Sequence, residues 1–305
     1  MKVYIKKYVL LLGIVLSISF TYGCGSFLLA EELFTYQETE MGSIEITGLT
    51  ELGMEKEKLT IPKKINSKQV TSIAEYAFYN CTWLEEISLP ESIEEIGKNA
   101  FQHCDNLKSD IPVLSFYEKE DGTVCVTGFT NENDETILTI PEKIYGKTVT
   151  EIGTSAFERS TIEEIYFPLT LEKIERAAFR NCYSLKIVGL PENLTYLGEQ
   201  AFKECYSLET VWVNPALEII PVSCFYRCMK LSFIWIPEGV KRIEAEAFQG
   251  TDSLLSISLP ASVEYISDKA FSKNIFWEYF ITIITPEGSY AEQYAKDNGI
   301  NLFFE

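Results

Sequence analysis

Hydrophobic positions recur along this chain with a period of 23 residues. The stretch AFYNCTWLEEISLPESIEEIGKN, which begins at Ala77, shares its pattern with stretches that begin at Ala178, Ala201 and Ala247. The phenylalanines that mark the repeat stand at positions 78, 101, 157, 179, 202, 225, 248 and 271, and the unit at 157 is one residue shorter. Because a fixed period of this length is typical of solenoid proteins, we expect each unit to form one structural coil.

The order of apolar residues inside a unit predicts a short strand. In the unit at Phe225, Ile234 and Ile236 are two residues apart, which places both side chains on the same buried face of a β-strand. Pro237 ends that strand because proline has no N–H to donate to a ladder. The segment that leads to the next Ala-Phe pair is expected to be a short helix, a 3₁₀ turn or irregular. One such unit cannot enclose a core, so we expect the units to stack against one another.

A longer duplication divides the chain into blocks. TIPKKINSKQVTSIAEYAF from Thr60 recurs 79 residues later as TIPEKIYGKTVTEIGTSAF from Thr139, with proline 16 residues before phenylalanine instead of 11. Such atypical opening units are expected to shield an open solenoid end. Ser289 to Asn298 has helical composition and Gly299 is placed to stop it, which predicts a helical cap. We therefore expect an opening unit and short repeat block at 34–112, a second opening unit at 113–150, the main repeat block at 151–280 and the cap at 281–305. Continuous stacking of the blocks and a bend at 108–123 are both compatible with the pattern.

Together these motifs resemble the BspA-like, treponemal-type leucine-rich repeat proteins. The resemblance rests on the AF-x-x-C-x-x-L-x-x-I-x-L-P repeat, the two opening segments and the ending GSYAEQYAKDNGI, and it extends from residue 34 to 305. The chain departs from the family pattern at 110–112 and at Asn214, which stands in the proline position. The family implies a curved solenoid with a parallel sheet, displayed on the surfaces of bacteria and some parasitic protists. It also implies adhesion or ligand binding, with extracellular-matrix proteins, other host proteins or neighbouring cells as partners, and it supplies no catalytic residues.

The first 25 residues have the pattern of a secretory signal peptide. A lysine-bearing start is followed by 13 apolar residues from Tyr8 to Phe20, which is short for a membrane span. Gly23 and Cys24 resemble the end of a bacterial lipoprotein signal, in which the cysteine becomes the acylated first residue. Acylation at Cys24, ordinary cleavage nearby and an uncleaved anchor are three interpretations, and all of them export the rest of the chain to the cell surface or the medium.

Composition restricts the classes of partner. The chain of 305 residues is 46% hydrophobic, which is enough for a substantial core, and its formal net charge is −19. Binding to nucleic acid through phosphates needs a basic surface, and so does docking on anionic lipid. We therefore expect no nucleic-acid partner, and membrane contact only through the N-terminal signal or a lipid.

The cysteines follow the repeat rather than a metal-site spacing. Five of them fall three residues after a repeat phenylalanine: Cys81, Cys104, Cys182, Cys205 and Cys228. This spacing is unlike that of zinc ligands, so a structural ladder of small buried side chains is the leading interpretation. Neighbouring coils about 5 Å apart would also permit cross-coil disulfides, and metal binding stays a third alternative.

Catalytic machinery is not evident in the chain. The single histidine, His103, occupies a variable turn position of the repeat, and the chain contains neither G-x-S-x-G nor H-E-x-x-H. The recurring glutamate pairs are expected to form a solvated face rather than a glycosidase pair or a calcium site. We expect no enzyme activity, no cofactor and no resident metal.

The outward strand positions carry the functional hypothesis. If Ile234 is buried, alternation turns its neighbours toward solvent, and the same register applies to the preceding units. The residues placed side by side in this way are Tyr166, Ile187, Trp212, Phe233 and Trp235. Exposed apolar clusters with a polar rim commonly mark binding surfaces, and tryptophan and tyrosine are frequent hot-spot residues. Contact with a partner, self-association and cover by a loop or by residues 276–280 are the three interpretations.

The sequence therefore predicts an exported, surface-anchored leucine-rich repeat protein that binds a protein or a glycan and is not catalytic. The alternative is a structural surface protein that uses the aromatic residues as a homotypic contact.

Overall fold

The computed structural model describes residues 30–104, 106–108, 114–129, 136–271 and 281–304. The strands are β1 (Phe34–Glu38), β2 (Ile44–Leu49), β3 (Lys58–Thr60), β4 (Lys64–Ile65), β5 (Lys68–Ile73), β6 (Glu86–Ser88), β7 (Glu95–Ile96), β8 (Leu114–Glu118), β9 (Val124–Phe129), β10 (Ile137–Thr139), β11 (Lys143–Ile144), β12 (Lys147–Ile152), β13 (Glu164–Tyr166), β14 (Lys173–Ile174), β15 (Ile187–Gly189), β16 (Tyr196–Leu197), β17 (Thr210–Trp212), β18 (Ile219–Ile220), β19 (Phe233–Trp235), β20 (Arg242–Ile243), β21 (Ser256–Ser258), β22 (Tyr265–Ile266), β23 (Thr282–Thr285) and β24 (Asn301–Phe304). The α-helices are α1 (Glu51–Met54) and α2 (Tyr290–Asn298), and a 3₁₀ turn spans Ala30–Leu33.

One strand from each unit of the main repeat block joins a parallel sheet, which we call the front sheet. Its eight strands follow the order β10-β13-β15-β17-β19-β21-β23-β24. In the repeat units the strands are three residues long, and the central side chain, such as Val211 or Ile234, is buried. The parallel solenoid predicted from the repeat is confirmed.

In the part of the chain up to β16, a second strand from each unit forms another ladder, which we call the back sheet. It runs in the order β1-β2-β5-β7-β8-β9-β12-β14-β16, with β4 and β11 attached at its side. In the repeat units these strands are only two residues long, and turns rather than helix lead from them to the next Ala-Phe pair. The sequence allowed a short helix, a 3₁₀ turn or an irregular segment here, and the structure has the irregular segment.

Left-handed backbone in these turns explains why no helix forms. Asn181, Glu204 and Arg227 have φ values of 63°, 61° and 57°. Their N–H groups consequently point along the solenoid axis and donate to the next coil, with N···O distances of 2.8, 2.7 and 2.8 Å. Each such conformation costs about 1–2 kcal/mol, which the ladder bond offsets. His103 has φ 61° at the same repeat position, as expected for a turn residue.

Stacked phenylalanines form the centre of the core. The rings of Phe179, Phe202, Phe225, Phe248 and Phe271 lie nearly parallel, with successive centroids 5.3 to 5.7 Å apart. All of them are buried. Because each ring packs between its two neighbours, the sequence period becomes one continuous apolar column.

The back sheet is continuous through the second opening unit. β8 pairs antiparallel with both β7 and β9, and β9 then pairs parallel with β12. The Asn99 N–H also donates to the Phe129 carbonyl at 2.8 Å. The repeats before and after β8 and β9 therefore share one sheet.

The C-terminal helix predicted from the sequence is present. Ser289 caps α2 by accepting the Glu292 N–H, and Gly299 ends the helix with φ 66°. Beyond it, β24 pairs parallel with β23 and extends the front sheet by a strand that the sequence pattern did not predict.

Asn214 replaces the usual proline without breaking the front sheet. Its Oδ1 accepts the Ala216 N–H at 2.8 Å, and the Val213 N–H still reaches the Trp235 carbonyl at 3.2 Å. An interruption does occur in the back ladder, where β16 and β18 are not paired and β18-β20-β22 form a separate sheet.

Candidate binding face

The five residues expected to point outward all lie on the solvent side of the front sheet. We call them the apolar patch. Their relative exposures are 54% for Tyr166, 43% for Ile187, 45% for Trp212, 50% for Phe233 and 48% for Trp235. They are exposed because the middle residue of each strand points into the core and turns its two neighbours outward.

Strand register brings most of the patch into direct contact range. Trp212 is the Cα partner of Trp235, and Thr210 is the partner of both Ile187 and Phe233. Adjacent strands lie about 4.8 Å apart, so the two tryptophans are immediate neighbours on the surface. The register therefore joins Trp212, Phe233 and Trp235 into one compact group.

Tyr166 is separated from the tryptophans by a notch. β15 lies between β13 and β17, and its Gly189 is the partner of Trp212. A Cβ atom built on Gly189 would meet no heavy atom within 4 Å. The glycine thus leaves an open slot, one strand wide, between a phenol ring and an indole ring.

Polar groups border the patch on both sides. The Tyr166 hydroxyl donates to Glu164 Oε2 at 2.9 Å, and this hydrogen bond is the main cause of a raised pKa for Tyr166. Lys186 and Glu163 form an ion pair beside Glu164. On the other side, Ser258 is the partner of Trp235. An apolar centre with a polar rim is the usual anatomy of an interaction surface.

The structure adds apolar residues that sequence reasoning missed. From Trp235 the row of Cα partners continues through Ser258 and Ile284 to Phe303 on β24. Phe303 is 66% exposed. The alternation in NLFF could have indicated it, but the segment was interpreted as part of a helical cap.

The three interpretations of the patch remain distinct. Residues 276–280, one candidate for intramolecular cover, lie outside the described residues, as do the signal peptide and Cys24. Within the described ranges the five side chains keep the exposure given above. No helix in those ranges is both long and apolar enough to cross a membrane.

The cysteine ladder is built into the core. The thiols of Cys182, Cys205 and Cys228 donate to the carbonyls of Phe157, Phe179 and Phe202, one coil earlier, at 3.1, 3.2 and 3.2 Å. Cys81 and Cys104 occupy the same column and are buried as well. Burial raises the pKa of Cys205 and of Cys228, which keeps both thiols protonated. The geometry favours packing over metal ligation at this position.

Metal binding finds no support elsewhere in the described part of the chain. No three histidine, cysteine, aspartate or glutamate side chains there come together in a way that could hold an ion.

The comparisons with known proteins agree with this repeat architecture. The family described as BspA type leucine-rich repeat region matches in six copies, over residues 55–118 and 150–276, which is well over half of the chain. A search of curated proteins found no match.

Solved leucine-rich repeat structures are also similar. A leucine-rich repeat protein of T. pallidum is 26% identical, with a TM-score of 0.40, over 73% of this chain and 88% of that one. A leucine-rich repeat protein of Bacteroides ovatus is 22% identical, with a TM-score of 0.36, over 92% of this chain and 100% of that one. A leucine-rich cell surface protein of Faecalibacterium prausnitzii is 19% identical, with a TM-score of 0.33, over 90% and 96% of the two chains.

Proposed function

Because this chain belongs to the BspA-type leucine-rich repeat family, we propose that it is an exported, surface-displayed binding module that holds a protein or glycan partner on its front sheet. The proposal includes no catalysis: the patch offers ring faces and aliphatic surface to a ligand. The signal-like N-terminus supports export, and Cys24 would supply a lipid anchor.

The observation that carries the proposal is the exposure of five apolar side chains on one open sheet face. A chain with a net charge of −19 has ample polar surface. Exposing a contiguous apolar group is unfavourable in water unless something covers it in function. Tryptophan and tyrosine contribute large contact areas with few rotatable bonds, so they anchor protein partners efficiently. Their flat faces can equally stack against the apolar face of a sugar ring.

The direct test is a double variant, Trp212→Ala with Trp235→Ala. Binding would be measured against immobilised extracellular-matrix proteins and an array of surface glycans. We expect the double variant to lose binding by at least about 30-fold, since hot-spot aromatics contribute about 2 kcal/mol or more each.

A matched control changes exposed aromatic residues that lie away from the patch. Trp83→Ala with Tyr183→Ala removes two such residues, and it should bind like the parent chain. Unchanged binding by the Trp212 and Trp235 double variant toward every ligand of the parent chain would refute the proposed site.

Homotypic contact through the same patch is the competing use. Light scattering coupled to size-exclusion chromatography separates the two, because a self-associating chain forms a dimer that the double variant abolishes. A chain that is monomeric at all accessible concentrations supports the binding role.

A further inference from the structure

The back ladder is interrupted beside a proline. In the coils on either side of the interruption, the N–H at one turn position donates to a carbonyl of the preceding coil. The Gly198 N–H donates to the Ile174 carbonyl at 2.7 Å, and the Glu244 N–H donates to the Ile220 carbonyl at 3.0 Å. The coil between them has Pro221 at this position, and proline has no N–H. The Leu197 carbonyl therefore receives no ladder bond, and β16 and β18 do not pair.

A cleft of about 610 Å³ opens where the ladder is missing. Its floor and walls are apolar, formed by the buried Leu197, Leu217 and Pro221 together with the exposed Ile219. Tyr196 stands at the rim of the cleft, on β16, which is the last strand of the back sheet before the interruption. Clefts between about 300 and 1,000 Å³ have the usual volume of ligand-binding sites.

The charged groups that line the cleft are the carboxylates of Glu199, Glu218 and Glu244. Glu199 is exposed at its edge, and Leu197, whose carbonyl receives no ladder bond, is one of the lining residues. Two of the nearby cations are already neutralised, because Lys241 binds Glu218 at 2.7 Å and Arg242 binds Glu244 at 2.9 Å. Lys173 is the strand partner of Tyr196 on the side away from the cleft. Burial and the carboxylates of Glu175 and Glu199 raise the pKa of Tyr196, which reports the same negative environment.

The neighbouring sheet shows how this repeat position holds a guanidinium group. Tyr265 occupies the repeat position of Tyr196, and the guanidinium carbon of Arg242, on the adjacent strand, lies 4.2 Å from the Tyr265 ring centroid. The corresponding partner of Tyr196 on the preceding strand is Lys173, and on its other side the next strand in sequence carries Ile219. The chain thus packs a guanidinium on a tyrosine at this repeat position, and among the described residues the side of Tyr196 that faces the cleft carries no cation of its own.

We propose that the cleft between β16 and β18 binds an arginine side chain presented by a protein partner. The aliphatic stem packs on Leu197, Ile219 and Pro221, and the planar head lies against Tyr196. Its five N–H donors reach Glu199 and the Leu197 carbonyl, which matches a cleft whose charged groups are carboxylates. The volume exceeds that of one side chain, so the flanking peptide groups of the partner also fit.

The test uses the full chain and four defined probes in isothermal titration calorimetry. The first is the capped tripeptide acetyl-Ala-Arg-Ala-amide, and the second has citrulline, a neutral isostere, in place of arginine. The third has glutamate, and the fourth is free arginine. We expect saturable binding of the arginine tripeptide, binding of the citrulline tripeptide weaker by about tenfold, and no binding of the glutamate tripeptide.

Three variants locate the binding site. Glu199→Gln should weaken arginine-tripeptide binding by about tenfold, whereas Glu192→Gln, an exposed change in the same coil outside the cleft, should not. Both positions are exposed, so folding is retained. Trp212→Ala with Trp235→Ala should also leave tripeptide binding unchanged, which separates this site from the apolar patch.

Equal affinity for the arginine and citrulline tripeptides would overturn the proposal, and so would an unaffected Glu199→Gln variant. Free arginine that binds as tightly as the tripeptide would overturn its assignment to a protein partner and indicate a small-molecule site.

Discussion

Trp212 and Trp235 are Cα partners on adjacent parallel strands, and both indole side chains are nearly half exposed to solvent. Val211 and Ile234, which precede them in the same strands, point to the opposite face and are buried in the core. One strand pair therefore separates side chains available for binding from side chains that hold the coils together.

This separation predicts that substitutions on the two faces of the strands change stability by very different amounts. Trp212→Ala should change the free energy of unfolding by no more than about 0.5 kcal/mol, because the side chain is a surface group. Phe202→Ala should lower it by about 3 to 5 kcal/mol, since it opens a cavity between Phe179 and Phe225. Urea unfolding followed by circular dichroism measures both. A large loss for Trp212→Ala would mean that the indole is part of the core.

Two adjacent alanines test the left-handed turns. Ala177 has φ 56°, whereas Ala178 is buried without positive φ. Ala177→Gly relieves a strained backbone and should be neutral or stabilising by about 0.5 kcal/mol. Ala178→Gly only adds chain entropy and removes a buried methyl group, so it should destabilise by about 1 kcal/mol. Equal losses in thermal unfolding would show that the left-handed conformation carries no strain.

The buried thiols make stability depend on pH. Burial holds the pKa of Cys205 and Cys228 above the value of an unfolded thiol, which is about 8.5. Above that pH the unfolded chain loses protons that the folded chain retains, so stability is fully present below pH 8.5 and falls as the pH rises further. Denaturant titrations at pH 7.5 and pH 10 should show this loss.

The control for the thiol effect is Cys205→Ala with Cys228→Ala, whose unfolding free energy should change less between the same two pH values. Mass spectrometry adds a second measurement. Iodoacetamide should leave the ladder cysteines unmodified in the native chain and modify them in denaturant. Rapid alkylation of the native chain at Cys205 would contradict its protected position.

Acylation of Cys24 is tested separately. In a bacterial host, the chain should partition into the detergent phase of a cloud-point extraction, and Cys24→Ala should move it to the aqueous phase. Cys125→Ala is the matched control, because Cys125 is buried in the fold. Retention of Cys24→Ala in the detergent phase would contradict a lipid at Cys24 as the only membrane anchor.

The period of the chain made the core and the patch predictable. The period predicted that each coil buries its apolar residues against its neighbours, and Phe202 and Phe225 do stack in this way. Once Ile234 was taken as buried, the alternation of a strand left Phe233 and Trp235 no direction except outward. These inferences depend on local geometry that repeats identically, and therefore they transferred from unit to unit.

The features that the sequence pattern missed depend on single departures from the repeat. β24 follows a helix and matches no unit, so Phe303 was not assigned to the sheet. Pro221 lies in a turn where its effect depends on which carbonyl it faces, and only the stacked structure identifies that carbonyl as Leu197. The two-residue back strands are too short to show any periodicity of their own.

The stacked phenylalanines and the inter-coil hydrogen bonds join each coil only to the coils beside it. If one end of such a protein is anchored and its middle binds a ligand, a pulling force acts along the stack of coils. Each boundary between two coils can then open separately. A released coil of 23 residues extends to about 80 Å. The solenoid would then lengthen in discrete steps under shear while the remaining coils stay folded and bound. It would refold by restacking one phenylalanine at a time when the force falls.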